Sequence, residues 1–370
     1  MTSLKIFLNR LIRTPEESKL QEVLLAPLSL LSFFYGWVLK VRVFLYRQGT
    51  YKIHSLPCKV ISVGNITLGG TGKTPFVNLL AEMVRKRGYR TAILSRGYKG
   101  KFQGPYGIVS DGERVLMDAA HAGDEPYLLA EKLRGVPIIV GRERRISGQL
   151  AVDRFQTEVA ILDDGFQHLS LKRDLNLLLV DSSCPFGNQK LFPRGVLREP
   201  LNQISRADAI VLTKANLDAN IEILKKKFST LGVKIPVFRV DYRPGEVRVL
   251  GGEKSLPPAS LSGRKVLAFS GIAQPESFEK TLLSLGTKIA LFEIFPDHHE
   301  YRVEDMNRLQ DQASRSGVEA MVTTEKDLVR LKNLNPGSFP LWILSVGHVF
   351  QGEDQPLFEA FLWERLGLKP

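Results

Sequence analysis

Two cysteines in 370 residues are too few for a disulfide framework, and Cys58 and Cys184 both suit a reducing compartment. The chain also lacks zinc-finger spacing, an RNA-binding aromatic signature and any long lysine or arginine tract, so nucleic acid is not an expected partner. No internal repeat and no low-complexity tract is present, which excludes solenoids and arrays. A hydrophobic share of 44% beside a charged share of 24% excludes a disordered chain. What the chain has in excess is positive charge. Fifty-one basic against 39 acidic residues leave +12, a balance that favours a phosphorylated substrate or anionic lipid headgroups.

The densest apolar run lies near the N-terminus, where Val23 to Leu39 holds Ser29 and Ser32 as its polar side chains. Lys5, Arg10, Arg13 and Lys19 precede it and Lys40, Arg42 and Arg47 follow. Against Glu16, Glu17 and Glu22 these seven basic residues give the first fifty a charge of +4. The run is at the short limit for a spanning helix, which needs about 20 residues, and Pro27 and Gly36 weaken it further. No small-residue cleavage site follows, so a signal peptide is not expected. The favoured reading is a segment lying on a membrane surface, apolar and aromatic residues in the interface and cations on anionic headgroups. A single span and a buried core helix are the alternatives.

Gly69 to Thr74 reads Gly-Gly-Thr-Gly-Lys-Thr directly after the β-branched run Val60-Ile61-Ser62-Val63. A strand, a glycine loop and a Lys-Thr pair opening a helix form a nucleotide phosphate cradle. Glycines let backbone N–H groups face a polyphosphate, Lys73 neutralises the β- and γ-phosphates, and the Thr74 hydroxyl suits Mg²⁺. Thr67 stands where the generic pattern has a glycine five positions before Gly72; a glycine-rich turn without function is the bland alternative. ATP or GTP is the expected ligand.

From Pro57 onward, eleven short apolar runs from Lys59–Val63 to Leu341–Ser345 alternate with seven amphipathic stretches, the pattern of a mostly parallel sheet flanked by helices. Tyr242 to Arg264 is rich in glycine, proline and serine, and reads as an irregular hairpin or hinge. The expected organisation is an N-terminal membrane-associated helical segment (1–50), a nucleotide-binding α/β domain (51–241), the hinge (242–264) and a smaller α/β lobe (265–370).

Several further clusters carry chemistry. Val159 to Leu162 is a buried-strand pattern ending in Asp163 and Asp164, carboxylates suited to a hard cation beside a bound nucleotide, or else to capping the following turn. Asp124 opens a helix and is an N-cap on the bland reading. Asp297-His298-His299 follows a strand of the second lobe, and a histidine there facing an aspartate of the first would make a general-base pair. Arg194 to Pro200 offers arginine forks to phosphate oxygens. The basic residues at 85–101, with Arg142, Arg144 and Arg145, read mostly as solvated faces. Thr324 opens a capping box, with Lys326 a minor candidate for a substrate phosphate.

Taken together, Gly64-Asn65 with Gly69 to Pro75, Ser95-Arg96-Gly97-Tyr98, Gly123 to Pro126, Asp163 to His168, Arg194 to Pro200 and Asp297-His298-His299 closely resemble the tetraacyldisaccharide 4′-kinases, the lipid A 4′-kinases of Gram-negative bacteria. The resemblance covers most of the chain in order, and the family shares the Thr67 departure. It implies a P-loop NTPase-like α/β fold and a kinase at the cytoplasmic face of the inner membrane. The implied reaction moves the ATP γ-phosphate to the 4′-hydroxyl of a tetraacylated glucosamine disaccharide 1-phosphate, giving lipid IVA. By motif, Asp124 is the implied base, assisted by His298. Thr67, Gly69, Gly70, Thr71, Gly72, Lys73, Thr74, Arg198 and Glu199 fall to the nucleotide, and Thr74, Asp163 and Asp164 to Mg²⁺. A membrane-tethered nucleotide switch without transfer activity is the alternative from another class.

Overall fold

The structure, a computed structural model, describes residues 18–217, 221–251, 255–331, 334 and 339–369. Lys5, Arg10, Arg13, Glu16 and Glu17 of the expected N-terminal segment lie outside the described residues. The strands are β1 (Lys59–Gly64), β2 (Thr91–Ser95), β3 (Gly107–Ser110), β4 (Ile138–Val140), β5 (Val159–Asp163), β6 (Leu175–Asp181) and β7 (Ala209–Thr213) in the first half. They continue with β8 (Val237–Val249), β9 (Ser255–Leu256), β10 (Lys265–Ser270), β11 (Lys288–Ile294), β12 (Ala320–Thr324) and β13 (Leu341–Phe350).

One hydrogen-bonded sheet runs β11-β10-β12-β13-β8-β7-β6-β1-β5-β2-β4-β3, with β9 paired to β8. Its pairings are parallel except β3·β4, β8·β13 and β8·β9. Strands β2, β5, β6 and β7 are buried along their whole length, as parallel strands covered on both faces must be. β8 runs nine residues past the apolar core at Val237–Val240, and joins the halves by pairing with β7 at its start and β13 further on. Pro244 and Gly245 are accommodated where the β8·β13 register shifts between Leu344 and Val346, because a bulge absorbs a residue that cannot donate to the ladder. Punctuation that reads as loop is thus strand over Tyr242 to Val249, closed by the short β8·β9 hairpin.

Helices Lys73–Lys86, Asp124–Lys132 and Asp354–Leu366 cover one face of the first half. The last of these returns from the chain's end, so Phe358, Leu362 and Trp363 share a core with Phe76 and Val240. Phe76 is fully buried, with the rings of Phe358 and Phe350 at 6.0 and 6.4 Å. Burying one such side chain contributes about 1.5–3 kcal/mol. A second core, including Leu267, Phe269, Met321 and Ile343, fills the other half.

The apolar N-terminal run forms a helix, Ala26–Arg47, that by length and composition is able to cross a membrane. Pro27 lies in its first turn, where a missing N–H costs nothing, so it starts the helix instead of weakening it. Gly36 is buried where Leu191 closes on the helix, and a Cβ there would meet the Leu191 side chain at 2.8 Å. Just 11% of the most apolar stretch is buried, against the core-helix alternative. Its polar contacts reach two loops: Ser32 donates to the Leu191 carbonyl (2.8 Å) and accepts from the Arg194 amide (3.0 Å), Tyr35 donates to the Arg198 carbonyl (2.9 Å), and Arg42 donates to the Gln167 carbonyl after β5 (3.0 Å).

Candidate active site

The parallel register of β1 with β5 sets Val63 opposite Asp163, so the strand that feeds the glycine loop and the strand that ends in carboxylates finish side by side. Between β1 and the helix starting at Lys73, the loop is held from within by Asn65. This fully buried side chain donates to the Thr67 carbonyl (2.9 Å) and to Thr71 Oγ1 (3.0 Å). Its Oδ1 accepts from Lys73 Nζ and from Arg198, both at 3.3 Å. Gly72 takes a φ of +76°, and its bare α-carbon lies against the buried His348 ring. Thr67 is not among the positive-φ residues, and it pairs with Leu197 in a short antiparallel bridge. Leu68 N donates to Val196 O and Arg198 N to Ile66 O, both at 2.7 Å. A β-branched residue suits that extended position, which is why no glycine is needed there.

That bridge delivers Arg198 to the carboxylates. Its guanidinium grips Asp164 at 2.9 and 3.0 Å, with Lys73 Nζ 3.6 Å from the same carboxylate. Burial alone would raise the Asp164 pKa, but Lys73 and Arg198 outweigh it and hold the carboxyl well below the usual range. Asp163 behaves oppositely. Burial first, then the charges of Glu125 and Asp164, push it up to about 6. Ser95 donates to its Oδ2 (3.1 Å), while Oδ1 is buried without a protein partner. Thr74 is buried at the start of the helix. Glu199 faces Arg206, in a close ion pair, and not the phosphate loop. Burial raises its pKa.

Residues 174 apart in sequence make the second half of the site. Asp124 is the first residue of its helix, where the N-terminal dipole favours a carboxylate. Its Oδ2 meets His298 Nδ1 at 2.8 Å and Arg330 Nε at 2.8 Å. Burial would raise the Asp124 pKa. The His298 hydrogen bond and the Arg330 charge overcome it and lower the value to about 2. His298 also lies edge-on to the Tyr98 ring, 5.9 Å away. His299 instead stacks on Phe295 and reaches Asp305 at 2.9 Å, a local contact within its own lobe. Glu125, next to Asp124, is paired with Lys326 at 2.5 Å, and the Lys326 charge, with further help from Lys73, keeps it ionised against burial. Lys326 is therefore a partner of Glu125, and Thr324 caps its helix by accepting from the Asp327 amide at 3.2 Å.

Most of the expected nucleotide-side residues thus converge, and Asp124 and His298 meet across the two halves. Asn65 and Ser95 stood in the sequence motifs without an assigned role, and Arg330 was not singled out by sequence. Arg330 sits in a Glu-Lys-Asp-Leu-Val-Arg run that looks like a solvated helix face, yet it is 7% exposed and also holds Asp327 and the Gly271 carbonyl. Of the Arg142–Arg145 cluster, Arg144 alone is buried, its pKa lowered by burial to about 10 although Asp163 and Asp164 oppose that. Arg85, Lys86, Arg87, Arg90 and Arg96 are exposed, as solvated faces are. Cys58 is half-buried, with burial and the Asp174 charge pushing its thiol up to about 11, which makes it unreactive.

A family model described as tetraacyldisaccharide-1-P 4′-kinase matches residues 22–367. A tetraacyldisaccharide 4′-kinase of Desulfatibacillum aliphaticivorans is 43% identical over 92% of this chain and 92% of its own. One of Pelobacter propionicus is 43% identical over 94% of this chain and 92% of its own. The crystal structure of LpxK from Aquifex aeolicus, an "apo" form in complex with ATP, superposes with a TM-score of 0.73 at 34% identity, over 93% of this chain and 99% of that one. This chain belongs to the tetraacyldisaccharide-1-P 4′-kinase family.

Proposed function

We propose that this protein transfers the γ-phosphate of ATP to the 4′-hydroxyl of tetraacyldisaccharide 1-phosphate, giving lipid IVA, at the cytoplasmic face of an inner membrane. The observation that carries this reading is the Asp124–His298 pair, assembled from both halves of the chain beside a phosphate loop. A nucleotide switch has no use for it.

In this mechanism Gly69 to Gly72 turn amides toward the polyphosphate and Lys73 balances its charge. Arg198, held beside Lys73 on Asp164, offers a second cation to the γ-phosphate. Glu199 anchors the Arg198 loop through Arg206. Mg²⁺ fits the residues present, because Asp163 Oδ1 is a buried carboxylate oxygen without a protein partner and Thr74 and Asp164 stand nearby. The ion would supply charge neutralisation on the β- and γ-oxygens. Asp124, ionised at every working pH, orients the 4′-hydroxyl. As the sugar oxygen bonds to phosphorus and the β,γ-bridging bond breaks, the hydroxyl proton passes to the Asp124–His298 pair. Arg330 holds the carboxylate in place meanwhile.

The outward face of the Ala26–Arg47 helix, with Leu30, Phe33, Phe34, Trp37 and Phe44 more than half exposed, fits a lipid surface, and the acyl chains of the acceptor lie in that surface. The two-lobe division, 51–241 and 265–370 around 242–264, is part of the same proposal, except that Tyr242–Val249 is strand and the last helix, Asp354–Leu366, packs on the first lobe; donor and acceptor meet between the lobes. The test is transfer of label from γ-labelled ATP to tetraacyldisaccharide 1-phosphate in detergent micelles with Mg²⁺. Labelled bis-phosphorylated lipid is expected. Nucleotide binding with no labelled lipid would favour the membrane-tethered switch.

A further inference from the structure

Behind the phosphate loop lies a buried lysine that the mechanism above leaves unused. Lys214 follows β7 with a φ of +57° and is 3% exposed. Its Nζ donates to Asp181 Oδ2 at 2.7 Å, to the Gly70 carbonyl at 3.2 Å and to Ser277 Oγ at 3.3 Å, and makes a close contact with Gln274 Oε1. The preceding residue, Thr213, donates its hydroxyl to the Thr71 carbonyl at 2.9 Å. Two successive carbonyls of the phosphate loop are therefore drawn to the rear. In a planar trans peptide the N–H points opposite to the C=O, so the Thr71 and Gly72 amides are turned away from Lys214. In the present conformation Thr71 N still finds Gly69 O at 3.1 Å.

Gln274 and Ser277 belong to the turn and helix after β10, and that same turn begins at Gly271. The Gly271 carbonyl accepts from the His298 amide (3.0 Å) and from Arg330 (2.9 Å), and its own amide donates to Asp327 (3.0 Å). Both groups that position Asp124 are thus attached to one end of the segment 271–277, and Lys214 is attached to the other. Ala273 in its middle comes within ordinary contact distance of the Gly70 α-carbon's open side.

We propose that Lys214 is a positioning residue for the phosphate loop, and that through Gln274 and Ser277 it ties nucleotide seating to the turn that carries His298 and Arg330. The proposal rests on the kinase reading for the role of Asp124, but its first readout, MgATP binding, does not need the acceptor. Lys214→Met alone would strand a buried carboxylate, so the Lys214→Met/Asp181→Asn pair is compared with Gln274→Ala, and with the three changes combined. Gln274→Ala alone is expected to weaken MgATP binding about tenfold, as for loss of a hydrogen bond to a charged group. It should raise KM for ATP while leaving KM for the lipid acceptor unchanged, a split that general loosening of the fold would not give. In the Lys214→Met/Asp181→Asn background, itself weaker for MgATP by tenfold or more, the same Gln274→Ala change should have no further effect. Equal weakening by Gln274→Ala in both backgrounds, or unchanged MgATP binding in the lysine variant, overturns the proposal. Tight, non-additive MgATP binding with no lipid phosphorylated by the wild type would instead leave it standing and remove the kinase reading.

Discussion

Replacing His298 by alanine tests the half of the site proposed to take the acceptor without disturbing the nucleotide side. The change deletes a 2.8 Å hydrogen bond to Asp124 and leaves Arg330 on the same carboxylate oxygen, so Asp124 keeps one cationic partner. Two magnitudes follow. Loss of a partner in general acid–base chemistry lowers turnover by about 10² to 10⁴. The second concerns stability. Asp124 is depressed from 3.8 to about 2, burial opposing and His298 then Arg330 prevailing. At 1.36 kcal/mol per unit that is about 2 kcal/mol, and roughly 1–2 after allowing for its partial exposure to solvent. Because the folded pKa lies below the unfolded one, this contribution is complete above about pH 4 and is lost as pH falls toward 2. At neutral pH the variant should therefore lose at most about 1 kcal/mol, with its melting temperature lowered by a few degrees. Steady-state kinetics between pH 5 and 9 and a thermal melt at pH 7.5 provide the assay. The expected result is a fall in kcat of at most four and at least two decades, KM for ATP near wild type, and a small melting shift. A kcat within threefold of wild type would refute the role given to the pair. A large rise in KM for ATP would show that the substitution disturbs the nucleotide side instead.

Lys73→Ala removes the cation next to Asn65 and Asp164, and should weaken nucleotide binding and slow transfer together in binding and turnover assays. Arg198→Lys keeps the charge but not the reach: one nitrogen, Nη1, meets both Asp164 oxygens and Asn65 Oδ1. A loss of tenfold or more in kcat/KM for ATP is expected, since the shorter lysine does not carry its ammonium to the same three acceptors. Phe33→Ser, Phe34→Ser and Trp37→Ser combined should release the protein from anionic lipid vesicles in a pelleting assay while its melting temperature stays put, because all three side chains are more than half exposed. Phe76→Ala empties the aromatic core under the phosphate-loop helix and should cost about 3–5 kcal/mol in denaturant unfolding.

What was legible in the sequence was local chemistry. The glycine loop, its following helix and the Asp163-Asp164 strand end are each contained within about ten residues, and their adjacency follows from pairing of β1 with β5. The length of β8 was not legible, because Pro244 and Gly245 are loop residues by every local rule and are absorbed by a bulge seen only once β13 is beside them. Arg330 and Lys214 were invisible for a related reason. Their partners lie 206 and up to 144 residues away, and a charged side chain is read as solvated until its buried counter-charge is known. Pairing of Asp124 with an imidazole was anticipated by motif and by chemistry. The left-handed turn at His298, with φ of +61°, and the capture of His299 by Asp305 and Phe295 are what bring the first histidine, not the second, to the carboxylate.

In the proposed mechanism Asp124 takes part in the chemistry and not in holding ATP. The most direct test is Asp124→Asn, which keeps the size of the side chain and its place at the helix start, with labelled-lipid formation and MgATP affinity measured on the same preparation. Turnover lower by a factor on the order of 10² or more, with MgATP affinity preserved, is the result this account expects. Near-normal turnover would contradict it.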